Sequence, residues 1–134
     1  MMKTLKSASL AVAMSVAAIG LTTGTASALT HGCAVSSNDA GGLDCWVQHE
    51  ESGWGAVDST NFYAYGERLY LSDLLNNGKG VGAYVEGTWY RHTGEAYEGT
   101  EYNLSFEEGR SISVKACQTD NGSIYDCYTE YARA

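Results

Sequence analysis

Ser111-Ile112-Ser113-Val114-Lys115-Ala116-Cys117-Gln118-Thr119-Asp120-Asn121-Gly122-Ser123-Ile124-Tyr125-Asp126-Cys127 is the stretch that decides the fold class. Ile112, Val114 and Ala116 alternate with Ser111, Ser113 and Lys115. That period of two marks a strand with one face in a core and one in water. Asn121-Gly122 is a turn signal. If Cys117 and Cys127 oppose each other in an antiparallel hairpin, Gln118 faces Asp126, Thr119 faces Tyr125, and residues 120–124 form the loop. Opposed residues in such a pair have Cα atoms about 4.5–5.5 Å apart, within reach of a disulfide. Unless a bulge intervenes, Cys117 shares the side of Ser111, Ser113 and Lys115. The bridge is then expected on the outer face or rim, clipping a hairpin rather than tying two sheets.

The same argument applies to Cys33 and Cys45. Opposing them places Ala34 against Asp44 and Val35 against Leu43, with Ser37-Asn38-Asp39-Ala40-Gly41 at the tip. Four cysteines in a secreted chain read as two disulfides. Structural zinc prefers close pairs two to four residues apart, and neither spacing here fits. The expected bridges are Cys33–Cys45 and Cys117–Cys127, each contributing about 2–3 kcal/mol on the chain-entropy estimate. Links 33–127 or 45–117 would instead tie the chain ends together.

Strand signals extend outward from there. Val81, Ala83, Val85 and Trp89 alternate with Gly82, Tyr84, Glu86, Thr88 and Tyr90, and read as one strand. Tyr102, Leu104 and Phe106 alternate with Glu101, Asn103 and Ser105. Further strands are expected at 33–36, 44–49, 54–58, 62–65, 67–72 and 124–131. Residues 72–76 suggest one helical turn, and residues 29–32 a loose leader. Sixteen glycines and no proline suit a sheet with open turns. The expected fold is all-β: a small antiparallel β-sandwich, Ig-like or Greek-key, of about 7–9 short strands.

Residues 1–28 read as a signal peptide. Lys3 and Lys6 form a basic start, an apolar run follows from Ala8 to Leu21, and Ala26-Ser27-Ala28 is a cleavage pattern. The run is shorter than the roughly 20 apolar residues of a membrane span. Cleavage after Ala28 leaves residues 29–134, one secreted domain without membrane attachment. Six basic residues then face sixteen acidic ones, a formal charge of −10. That surface disfavours nucleic acid and anionic lipid and favours basic partners.

The segment Leu69-Tyr70-Leu71-Ser72-Asp73 leads through Asn77-Gly78-Lys79 to Ala83-Tyr84-Val85. Phe106-Glu107-Glu108-Gly109-Arg110-Ser111-Ile112-Ser113-Val114-Lys115-Ala116-Cys117 follows, and then Cys127. This is similar to small secreted β-sandwich proteins of filamentous actinobacteria such as Streptomyces, over about residues 67–134. The resemblance implies a fold and a source. It transfers no activity and no site residues.

Catalytic motifs are weak. Glu50 or Glu95 with His92 and Arg91 sketches a nuclease acid–base pair, but only four arginines remain after cleavage and the field opposes an anionic substrate. His31 and His49 add no constellation. Paired carboxylates for glycoside hydrolysis are too easily found among sixteen acids to be specific. Residues 73–78 lack the ligand alternation of a calcium loop. The Asn103-Leu104-Ser105 and Asn121-Gly122-Ser123 sequons arise by chance. No catalytic residue, metal ligand or cofactor is assigned. Ten tyrosines and three tryptophans against two phenylalanines suit a contact surface, and Trp54, Tyr63, Tyr65, Tyr84 and Tyr90 are its candidate members. The reading is a non-catalytic, monomeric, extracellular module that binds a protein or a carbohydrate, in one form an inhibitor. A small secreted hydrolase and a coat or matrix protein are the alternatives.

Overall fold

The computed structural model describes residues 28–134. The signal-peptide reading therefore lies outside the described residues, apart from Ala28. Nine strands form in order: β1 (Ala28–Val35), β2 (Leu43–Glu51), β3 (Gly55–Tyr63), β4 (Arg68–Asp73), β5 (Gly80–Val85), β6 (Thr88–Arg91), β7 (Gly99–Asn103), β8 (Ser111–Asp120) and β9 (Ser123–Arg133). All pairings are antiparallel. The fold is all-β with two disulfides, Cys33–Cys45 and Cys117–Cys127, as the hairpin argument required.

The strands run β6-β5-β8-β9-β2-β3-β4-β7, with β1 paired to β2. One layer, β6-β5-β8-β9, faces the other, β1-β2-β3-β4-β7, across a common core. Val81, Ala83, Val85, Ile112 and Val114 come from the first; Cys45, Phe62, Leu69 and Leu71 come from the second. The layers join at both corners, so the sheet nearly closes into a barrel. At one corner β2 meets β9 through Leu43 and Arg133. At the other, side chains bridge β6 to β7. Tyr102 donates its hydroxyl proton to the Arg91 carbonyl at 2.6 Å, and the Tyr90 and Tyr102 rings lie 5.0 Å apart. Just past β6, the Thr100 hydroxyl binds the His92 ring and the Thr93 backbone.

Several local expectations change. The strands expected at 54–58 and 62–65 merge into one, β3, which runs Gly55–Tyr63 and leaves Trp54 and Tyr65 in the flanking turns. Its polar centre, Asp58-Ser59-Thr60-Asn61, would turn if left alone. Pairing on both flanks, Thr60 with Val47 and with Leu71, holds it extended. Residues 29–32 are not a loose leader but part of β1, paired along β2. Residues 72–76 form no helix: Ser72 and Asp73 end β4, and a bend follows.

Two hairpins correct the sequence register. The stretch 81–90 breaks at Glu86-Gly87, with φ of 49° and 82°, and Val85 pairs with Thr88. This two-residue turn reverses the later alternation. Tyr90 goes to the core and Trp89 to the outer face, opposite to expectation. In the second hairpin the loop is Asn121-Gly122 alone, φ 47° and 83°, the geometry of a type I′ turn. Gln118 pairs with Tyr125 and Thr119 with Ile124, one residue off the expected register. Cys117 and Cys127 meet because β9 carries one extra residue, Asp126, at φ 48°. This is a β-bulge. Cys117 is fully buried and Cys127 exposed.

Candidate functional site

The five aromatic residues singled out from the sequence do not share one surface. Trp54 sits in the β2–β3 turn and Tyr63 at the far end of β3, with Tyr65 in the next turn. All three are exposed. Trp54 and Tyr63 are nine residues apart on extended chain, roughly 25–30 Å at about 3.3 Å per residue. Tyr84 is half-buried on β5 and belongs to the other layer. Tyr90 packs against the core and leaves the set.

The three histidines also separate. His31 stacks on Tyr128, ring centroids 4.0 Å apart, and its Nδ1 lies 2.5 Å from Glu130 Oε1. Glu130 is also near Cys33 and Cys45, but both sulfurs are held in a disulfide and offer no thiolate to a metal. His92 binds Thr100 through Nδ1 and the Glu95 carbonyl through Nε2, so it fastens the β6–β7 seam. Neither Glu50 nor Glu95 presents a carboxylate to it among the described hydrogen bonds.

His49 is the member that sequence reading undervalued. It points inward from β2 and is 2 % exposed; Asp58, opposite it on β3, is 3 % exposed. Nδ1 lies 2.7 Å from Asp58 Oδ1 and Nε2 2.5 Å from the Asp126 carbonyl oxygen. A carbonyl only accepts, so Nε2 carries a proton. Nδ1 faces Asp58, whose own pKa burial raises against the lowering pull of the His49 contact. With the imidazole pKa raised as well, Nδ1 carries the proton between them. Burial pulls the imidazole pKa down, yet the Asp58 hydrogen bond and charge, with the Asp126 carbonyl, outweigh it and hold the pKa above its ordinary value. The imidazolium thus ties β3 to the bulge of β9. Asp58 Oδ2, Thr60 Oγ1 and the Tyr125 hydroxyl lie buried around it without hydrogen-bond partners among the described residues. A pocket of about 160 Å³ opens beside the ring, but both ring nitrogens are already engaged. The geometry describes an internal strut rather than an acid–base group facing a substrate.

The outer face of β6-β5-β8-β9 has a different character. Alternation against the buried Val81, Ala83, Val85, Ile112, Val114 and Ala132 fixes which residues point outward. No Asp or Glu occupies an outward position in the regular pairing of these strands, although the chain has sixteen acids. The opposite layer's outward positions include Asp44, Glu50 and Glu101. Three cations occupy outward positions here: Arg91 on β6, Lys115 on β8 and Arg133 on β9, whose guanidinium donates to the Gly41 carbonyl at 3.5 Å. None has a carboxylate partner among the described ion pairs. Arg68, Lys79 and Arg110, elsewhere, pair with Glu101, Glu51 and Glu86. Glu86, at the rim, accepts from the Ser113 backbone, and this contact with the nearby Arg110 charge lowers its pKa.

Aromatic rings complete the face. Trp89 packs against Gly82; a Cβ there would sit 2.4 Å from two carbons of the indole, so only glycine admits the ring. The Tyr84 ring adjoins it at 4.7 Å between centroids, and Lys115 Nζ sits 5.9 Å from the Tyr84 centroid, within cation–π range. Tyr131 is 65 % exposed. A groove of about 180 Å³ runs beside Trp89 and Arg91, walled by Thr119, Gly122 and Ile124. Sequence reading missed Trp89 because the Glu86-Gly87 turn inverts its side. It missed the grouping of the cations because register, not spacing, assembles it.

Compared with known proteins, the chain matches no family model, no curated protein and no solved structure.

Proposed function

We propose that this protein is a secreted, non-catalytic binding module of actinobacterial type, and that it binds its ligand on the outer face of β6-β5-β8-β9. The observation that carries this reading is the sorting of charge. In a strongly acidic chain, the three cations without carboxylate partners share with Trp89, Tyr84 and Tyr131 one sheet face whose regular strand pairing carries no outward acid, Glu86 standing at its rim against Ser113. Sixteen acids spread evenly over the chain would be expected to reach these outward positions, and none does in the regular pairing. Exposed cations normally collect acidic neighbours on a surface this negative, so their isolation supports an external partner.

Export accords with the leader sequence and with two disulfides, which persist in oxidising compartments. Among the described residues no helix is long and apolar enough to cross a membrane. The hydrolase reading is less well supported, because His49 and His92 are each committed to structural hydrogen bonds. Calorimetric titration against cell-wall polysaccharides and secreted proteases tests the proposal. Binding that disappears in Trp89→Ala supports it. A heatless result across both panels, or binding untouched by that substitution, defeats it.

A further inference from the structure

We infer that the ligand of this face is a carboxylated, uronic-acid-type glycan bound as an extended chain. This rests on the binding reading above and names its ligand class. Three features of the face lead to it.

The first is the spacing of the cations. Arg91 lies at the level of the Gly82–Cys117 pair, Lys115 pairs with Thr129 two residues along β8, and Arg133 pairs with Ser111 four residues further. With about 3.3 Å per residue and about 4.8 Å per strand, the Cα positions of successive cations lie roughly 12 and 14 Å apart on a diagonal. An extended polymer with sparse, regular negative charge matches that spacing. Double-stranded DNA carries a charge every 1.7 Å or so of axis, and three separated cations on an acidic protein cannot neutralise it.

The second feature is the ring surface. Trp89, packed on Gly82 and tilted against the Tyr84 ring, offers a part-exposed aromatic surface. The C–H faces of a pyranose ring pack against such a surface. The third is the polar lining. Ser113 and Thr129 supply hydroxyls along the line of charges, with Ser111 and Thr119 at its two ends, which suits a polyhydroxylated chain. Protein partners anchor in well-packed, desolvated pockets; the groove here is small, about 180 Å³, with Arg91, His92 and Thr119 among its walls. The global negative charge does not forbid this ligand. At physiological salt, charges beyond about 8 Å are largely screened, while a guanidinium–carboxylate contact acts at hydrogen-bond range.

The test titrates the disulfide-bonded protein with oligogalacturonate, a neutral xylo-oligosaccharide, poly-glutamate and single-stranded DNA. Oligogalacturonate is expected to bind at least tenfold more tightly than the others, and the Arg91→Ala/Lys115→Ala double variant to weaken it by about tenfold or more, about 1.4 kcal/mol. Trp89→Phe, which keeps a ring over Gly82, should retain part of the affinity that Trp89→Ala loses; thermal melts confirm that each variant is folded. Equal affinity for the neutral glycan, or no effect of removing the cations, overturns the uronate assignment and leaves a glycan-binding face. Preference for poly-glutamate or DNA overturns it in favour of another polyanion. No binding by any probe rejects it, while the protease and cell-wall panels still decide the broader reading.

Discussion

Replacing His49 by alanine removes the strut between β3 and the β9 bulge, and the structure sets the scale of the loss. Asp58 would keep a carboxylate in a site 3 % exposed, with Oδ1 left only the residue-49 backbone N–H at 3.3 Å beside an Oδ2 that already lacks a partner. The Asp126 carbonyl would lose its donor as well. Breaking one side of a buried ion pair costs about 3–5 kcal/mol. At about 4–8 °C per kcal/mol for a domain near 100 residues, the melting temperature should fall by roughly 15–30 °C. Replacing both partners, His49→Leu with Asp58→Leu, removes the stranded charge and should recover most of that loss. The pair also sets a pH dependence. The His49 pKa is raised in the fold above its ordinary 6.5. Its contribution is therefore complete below 6.5 and is lost as pH rises through the folded value. Urea unfolding of the oxidised protein, followed by tryptophan fluorescence from pH 6 upward, measures both effects. The wild type should lose stability on the alkaline side, and the double-leucine variant should not. A loss under about 1 kcal/mol for His49→Ala, or identical pH profiles, would refute the strut.

Gly82→Ala should lift Trp89 from the sheet, because the new Cβ would lie 2.4 Å from the indole and 2.8 Å from the Tyr90 carbonyl oxygen; a loss of about 1–3 kcal/mol is expected for such overpacking, with greater acrylamide quenching of the indole. Asn121→Ala forces alanine to φ 47° and should cost about 1–2 kcal/mol, whereas Asn121→Gly should be close to neutral; denaturant melts of the two variants decide this. Tyr102→Phe deletes the hydroxyl that reaches Arg91 across the open corner, and a loss of about 0.5–1.5 kcal/mol should accompany faster amide exchange at the β6–β7 seam.

The parts of this fold that were legible in the sequence are those where a local rule suffices. Alternation at Ile112, Val114 and Ala116 marks β8, and the two cysteine pairs close over turn-forming residues. Where a turn sets the register, one residue decides everything downstream. Glu86 accepts a positive φ, the hairpin tightens, and Trp89 and Tyr90 exchange sides. Asp126 does the same in β9, where its bulge rescues a disulfide that the Asn-Gly turn would otherwise misalign. The His49–Asp58 contact joins residues nine apart on neighbouring strands, and only the β2–β3 register brings them together. The cationic face is less visible still. Arg91, Lys115 and Arg133 lie on three strands, and nothing in their spacing along the chain announces a common surface.

The most direct test of the binding-face account is a backbone amide shift map of the protein during titration with oligogalacturonate. The account predicts shifts concentrated at Gly82, Tyr84, Trp89, Arg91, Lys115 and Thr129, with the indole N–H of Trp89 among the largest. Shifts centred instead on Trp54, or on Tyr63 and Tyr65 at the opposite end of β3, would contradict it.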